Sequence, residues 1–172
     1  MSKRIAITLK PTNGCNMRCR HCYHAEEGFD ATVMNPEHAK KMMLIASQEY
    51  DEIHVVFHGG EPTLWGLENF RSVLDYQKFL SENAGNLVFK NSIQTNGLLI
   101  NDEWMGFLRE NKFAIGVSFD GPHNDDLRMN TSNFSLDTLI AIKKDFLKSY
   151  YSNHRMAIRR KIEKYGPPYS RY

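Results

Sequence analysis

The sequence predicts an α/β fold in which four strands alternate with helices. Three observations carry that prediction. Short apolar runs of strand length recur at residues 5–9, 53–57, 87–93 and 114–119. Between them lie segments with apolar residues at helical spacing and capping residues at their starts. The unusual residues, namely three crowded cysteines, a Gly-Gly pair and Asn-Gly or Asp-Gly turns, each come directly after a strand. Such alternation implies a parallel sheet covered by helices through right-handed crossovers. An open doubly wound sheet and part of a barrel both fit the pattern.

The first strand, residues 5–9, ends at Pro11-Thr12-Asn13-Gly14, and the cysteine loop follows. Asn35 caps the first helix, with Pro36 at its first position and Glu37 in its first turn. Ala39, Met42, Met43, Ala46 and Tyr50 give that helix one apolar face. The second strand breaks at His58-Gly59-Gly60-Glu61-Pro62. Leu67, Phe70, Val73 and Leu74 mark a second helix that fades near residues 83–85. The third strand closes at Gln94-Thr95-Asn96-Gly97. Asn101 caps a third helix, with Asp102 and Glu103 in its first turn and Trp104, Phe107 and Leu108 on one face. The fourth strand ends at Asp120-Gly121-Pro122, and Ser135 opens a fourth helix through Leu136, Leu139, Ile140 and Leu147. His54 is expected to be a satisfied core histidine, and Trp65 to pack at a helix start. Ligands bind at the C-terminal ends of parallel strands, so the four sets of unusual residues predict one site.

The 172 residues carry 22 Lys and Arg against 20 Asp and Glu, with 41% hydrophobic residues, which is ordinary for a globular chain. No apolar run approaches the roughly 20 residues of a membrane helix. The apolar part of the N-terminus is too short for a signal peptide, so a cytoplasmic protein is expected. All three cysteines lie between Cys15 and Cys22. An odd, crowded set in a reducing compartment points to a metal or cluster rather than to disulfides.

The near-neutral total hides a split. From residue 149 onward, Arg155, Arg159, Arg160, Lys161, Lys164 and Arg171 face Glu163 alone, a net +5, and five of the eight tyrosines are there too. Residues 1–148 are mildly acidic, at −3. A core domain over 1–148 and a basic, Tyr-rich tail over 149–172 are therefore expected. Three accounts of the tail stand side by side: alien sequence after a truncation, a helix covering the fourth strand, or a basic patch for an acidic partner. Its charge is modest for nucleic-acid binding, which argues against a nucleic-acid partner.

Cys15, Cys19 and Cys22 have the spacing C-x3-C-x2-C. Three thiolates on a short loop can hold three irons of a 4Fe–4S cluster and leave the fourth iron open. The alternative is a Cys3His zinc site with His21, His24 or His58, although zinc prefers cysteine pairs separated by a longer loop.

This loop resembles the signature of the radical S-adenosylmethionine (SAM) enzymes. The resemblance implies that the three cysteines bind a 4Fe–4S cluster whose open iron chelates the amino and carboxylate groups of SAM. His21 stands where the family usually has an aromatic residue, and it keeps a planar ring for the adenine. Gly59-Gly60-Glu61-Pro62 resembles the family's glycine-rich motif beside the methionine portion of SAM. Glycine permits close backbone approach, and carbonyls or a carboxylate can accept from an ammonium. Ser118-Phe119-Asp120-Gly121-Pro122, with Arg128, resembles the peptide- and protein-modifying members, sulfatase maturases among them. By that resemblance Ser118 bonds the ribose or carboxylate of SAM, and Arg128 pairs with the carboxylate. Gln94 and Asn96 either line the same pocket or simply form an Asn-Gly turn.

The resemblance also implies the architecture: a partial parallel (βα) barrel, four βα units of a TIM-like core that usually has six. An uncovered edge strand and apolar sheet face would favour either a homo-oligomer that covers the edge or a marginally stable monomer. The implied activity is reductive cleavage of SAM to a 5′-deoxyadenosyl radical that abstracts hydrogen from a peptide or protein side chain. The implied partners are that substrate and an electron donor such as flavodoxin or ferredoxin. The competing readings are a catalytically incomplete, truncated cluster-binding fragment and a zinc-binding interaction module.

Overall fold

Four parallel strands lie in the order in which the chain makes them: β1 (Arg4–Leu9), β2 (Glu52–Phe57), β3 (Val88–Thr95) and β4 (Ala114–Val117). Between them run α1 (Pro36–Ser47), α2 (Leu67–Asn83) and α3 (Asp102–Glu110), with a short 3-10 turn, Pro62–Trp65, ahead of α2. The computed structural model describes residues 2–17, Cys19, Cys22 and 32–118. His21, His24, Arg128, the Asp120-Gly121-Pro122 turn, the fourth helix and the tail with its boundary at residue 149 lie outside the described residues.

This order separates the two architectures that pattern alone leaves open. A doubly wound sheet reverses its strand order at a switch point. Right-handed crossovers that always step the same way keep every helix on one face, as in a barrel. The described strands step one way throughout, so the four strands are wound as a segment of barrel wall.

Local chemistry sets the helix ends. Asn35 Oδ1 accepts from Glu37 N at 3.0 Å, ahead of Pro36, and Asn101 Oδ1 accepts from Trp104 N at 3.0 Å. On α1 the buried stripe is Ala39, Met43 and Ala46, spaced by four and three residues. Met42, expected on that face, is 41% exposed because it falls one position, roughly a quarter turn, away from Met43.

The core lies between the helices and the face of the sheet that carries Ile53, Val55, Phe57 and Ile93. Phe57 and Phe70 pack with their rings tilted by 40° at 4.7 Å between centroids, with Trp65, Trp104, Phe107 and Phe113 around them. Trp65 is buried, and its indole N–H donates to Met34 O at 2.6 Å, so it is the packing residue expected. One amide pair sits within this apolar layer. Gln77 on α2 and Asn91 on β3 exchange hydrogen bonds of 2.9 and 2.8 Å.

The opposite face mixes polar and apolar residues, rather than being apolar as expected. The register places Thr8, His54, Lys90, Ser92 and Gln94 on it together with Ala6, Val56, Val88 and Ala114. His54 is satisfied, with Nε2 3.0 Å from Ser92 Oγ, but it belongs to this face rather than to the core. At the N-terminal end of the same face Glu52 meets Lys90 Nζ at 3.0 Å and Arg4 Nε at 3.9 Å. The Lys90 hydrogen bond holds the Glu52 carboxyl below the usual carboxylate range.

Candidate functional site

The cysteine loop leaves β1 and is closed at its base. Thr12 and Val33 form an antiparallel bridge, Met34 N donates to Pro11 O at 2.7 Å, and Thr12 Oγ1 donates to Thr32 O at 2.9 Å. Thr12 Oγ1 also accepts from Gly14 N at 2.9 Å. Chain entering and leaving the loop is thus tied together before the first cysteine.

The Gly-Gly-Glu turn after β2 packs on that base. Gly60 N donates to Thr12 O at 3.0 Å and Glu61 N to Gly14 O at 2.8 Å. A Cβ on Gly60 would run into Gly14 O and come within 2.5 Å of Asn13 O. A Cβ on Gly59, whose φ is +116°, would lie 2.7 Å from Thr12 O. The glycines therefore permit a close approach, as their type suggests. The partner in this structure is the backbone that carries the cysteines.

Glu61 is fully buried, and its carboxylate ties this turn to the end of β3. Oε1 accepts from Thr63 N (3.1 Å), Thr63 Oγ1 (2.6 Å) and Thr95 Oγ1 (2.7 Å), and Oε2 accepts from Asn96 N (2.7 Å). A buried carboxylate needs such a complement of donors.

Asn96 closes the ring. Its Nδ2 donates to Asn16 Oδ1 at 2.6 Å and lies 3.8 Å from Cys15 Sγ, while its Oδ1 accepts from Leu98 N at 2.9 Å. On the mixed face Gln94 Nε2 donates to Ser118 Oγ at 2.9 Å, and Ser118 N donates to Thr95 O at 2.8 Å. Gly116 lets the Gln94 side chain cross β4, since a Cβ there would strike Gln94 Oε1 and sit 3.0 Å from its Cδ.

The structure thus joins Cys15, Gly60 and Glu61 through bonded contacts at the C-terminal strand ends, with Gly59 close against Thr12, and Gln94 and Ser118 to each other beside them. Cys19 and Cys22 share a turn, with Cys22 N donating to Cys19 O at 3.2 Å. His58 Nδ1 accepts from Gly59 N at 2.7 Å. Sequence reasoning leaves Asn96 undecided and misses Asn16 and Gly116. A glycine inside a strand signals a close approach, and that signal is present for Gly116.

The donor set fits an iron–sulfur cluster. All three thiols are partly buried, and Cys15 Sγ already accepts from Met17 N at 3.4 Å. N–H groups aimed at a sulfur suit a thiolate ligand. Among the described residues no three ligating side chains converge as for a single ion. A 4Fe–4S cluster spaces its ligands more widely around one centre than a single ion does, because each cysteine binds a different iron. No helix among the described residues is long and apolar enough to cross a membrane.

Comparison with known proteins agrees with this geometry. A cysteine-type anaerobic sulfatase-maturating enzyme of Clostridium perfringens is 37% identical over 125 residues, covering 69% of this chain and 33% of the relative. A serine-type enzyme of Bacteroides thetaiotaomicron is 34% identical over 140 residues, covering 75% and 33%. The solved structure of histidine-tagged anSMEcpe with bound AdoMet superposes with a TM-score of 0.65 at 31% identity, covering 86% of this chain and 41% of that one. Native anSMEcpe with bound AdoMet and the Cp18Cys peptide gives 0.64 at the same identity and coverage. The chain spans about a third of the length of these curated relatives. A family model described as the Radical SAM superfamily matches residues 9–167, and the chain belongs to that superfamily.

Proposed function

We propose that this chain is the cluster- and SAM-binding part of a radical SAM enzyme that modifies a peptide or protein side chain. The observation that carries the reading is the bonded tie between the cysteine loop and the Gly-Gly-Glu turn, Gly60 N to Thr12 O and Glu61 N to Gly14 O. It brings the two motifs of the family resemblance onto one rigid support. Cys15, Cys19 and Cys22 are the ligands of a 4Fe–4S cluster. When bound, that cluster supplies one electron to the SAM sulfonium, giving methionine and a 5′-deoxyadenosyl radical that takes a hydrogen atom from substrate.

The chain's own residues bind and orient. Gly59 and Gly60 sit beside the methionine portion of SAM and hold the cysteine loop in place. Glu61 acts there as a brace, since its carboxylate is engaged by Thr63, Thr95 and Asn96. Ser118 bonds the SAM ribose or carboxylate, and Gln94 orients its hydroxyl. His21 and Arg128 are assigned the adenine and the carboxylate by their motif positions. Residues 1–148 form the core domain and 149–172 a separate basic tail. The chain works in a cytoplasmic setting with a flavodoxin- or ferredoxin-type donor. β4, at the end of the described sheet, offers an edge for a second copy.

The test is anaerobic reconstitution with iron and sulfide, followed by dithionite and SAM. The expected results are the broad visible absorption of the cluster, its loss in Cys15→Ala, and formation of 5′-deoxyadenosine. A wild-type chain that takes up no iron overturns the reading. The alternative is a cluster-binding module without turnover. Its mark is a normal cluster with no 5′-deoxyadenosine.

A further inference from the structure

We infer that Asn96 is the positioning residue that sets the reduction potential of the cluster, by donating from its amide to Cys15 Sγ. The inference rests on the reading that Cys15 is a cluster ligand. Asn96 is 8% exposed, and its amide stands between two elements of the site. Its Nδ2 donates to Asn16 Oδ1 at 2.6 Å and to Cys15 Sγ at an N–S separation of 3.8 Å. The orientation of the amide is not arbitrary. Oδ1 accepts from the backbone N–H of Leu98 at 2.9 Å, so the oxygen is committed to the turn and the NH2 to the sulfur side. The backbone is committed as well, because Asn96 N donates to the buried Glu61 carboxylate at 2.7 Å.

The sign of the effect follows from charge. Uptake of one electron from an external donor adds one negative charge to the cluster and its thiolates, and no proton is transferred. A fixed N–H dipole pointing at Cys15 Sγ stabilises that added charge, so it raises the potential. Met17 N makes a second N–H contact to the same sulfur at 3.4 Å, but only a proline would remove that backbone donor, and it would also fix the φ of the cysteine loop there. Asn96 is therefore a side chain through which the potential can be altered at Cys15.

The experiment is a redox titration of the reconstituted full chain, followed by electron paramagnetic resonance, with iron content measured on every sample. Asn96→Asp keeps the Oδ1 acceptor for Leu98 but replaces the donor with an oxygen. Asn96→Leu removes the donor without adding charge. Asn16→Ala cuts the tie between loop and strand but keeps the Asn96 donor. The expected result is a more negative midpoint in both Asn96 variants, larger in Asn96→Asp, and a near-native midpoint in Asn16→Ala. At a fixed poise the ratio of reduced to oxidised cluster should fall at least about threefold, ~28 mV for one electron.

A second measurement needs no variant to fold. Wild-type protein exchanged into D2O should show two classes of deuteron coupled to the cluster by electron–nuclear double resonance, from the Met17 N–H and from the Asn96 amide, and the first class alone overturns the inference. Equal midpoints in wild type and both Asn96 variants, at equal iron content, overturn the inference and leave the cluster assignment standing. So does an Asn16→Ala shift as large as that of Asn96→Leu, which would mark Asn96 as scaffold only. A wild-type chain without iron overturns the cluster assignment and the inference together.

Discussion

Glu61 shows how a residue can be conspicuous in sequence and act through something the sequence hides. Its place in a Gly-Gly-Glu-Pro turn marks it, but the four donors that surround it come from both its own turn and β3, 34 and 35 residues away. Glu61→Gln keeps the size and Oε1 but sets an NH2 against the Asn96 N–H. That orphaned buried donor should cost about 1–3 kcal/mol, read from chemical denaturation of the full chain. Glu52 supplies a pH-dependent counterpart. Its carboxyl lies below the usual range because Lys90 donates to it. The stability it contributes is therefore present above the unfolded carboxylate pKa of about 4.3 and lost as pH falls through the lower native value. Lys90→Met should move the Glu52 titration, followed by carboxyl NMR, back up towards the unfolded value. An unchanged titration would assign the shift elsewhere.

At the scale of elements the fold is legible in the sequence where the controlling interactions are local. Asn35-Pro36 and Asn101 cap α1 and α3 as their types suggest, and α2 runs from Leu67 to Asn83 as its apolar spacing implies. It is less legible where partners are distant. β3 continues to Thr95 rather than ending at residue 93, because the end of β4 pairs with it there. The Thr12–Val33 bridge that closes the cysteine loop joins two segments with no strand signal of their own. The Gln77–Asn91 pair is likewise invisible, since two amides look like surface until register brings them face to face. Gln77→Leu should cost about 1–3 kcal/mol by leaving the Asn91 amide unpaired in an apolar layer. Adding Asn91→Leu should cost less than the two single losses summed, because the orphan is then removed. Strict additivity would deny the coupling. Gly60→Ala tests another contact between elements. Its Cβ collides with the carbonyls of Gly14 and Asn13, so the loss should reach at least the ~1–3 kcal/mol of overpacking, with lower iron uptake.

At the scale of the molecule, hydrophobic period reveals which segments are strands but not the order in which they pair. That is why the winding of the sheet emerges only from its register. The same winding lets a local ligand affect the whole. The cysteine loop is bonded to the turn after β2 through Gly60 and Glu61, and Glu61 and Asn96 carry the link to the end of β3. Ligand binding to the native state alone stabilises it by RT ln(1 + [L]/Kd), provided the bound loop and the sheet unfold together. Here they should, because unfolding β2 or β3 removes the loop's supports. Anaerobic cluster loading should therefore raise the midpoint of sheet unfolding, followed by far-ultraviolet circular dichroism. Gly60→Ala should reduce that rise more than it reduces iron content, since it damages the link rather than the ligands. If loaded and unloaded chains melt at the same temperature, the loop binds its cluster independently of the sheet, and the bonds at the strand ends carry no coupling.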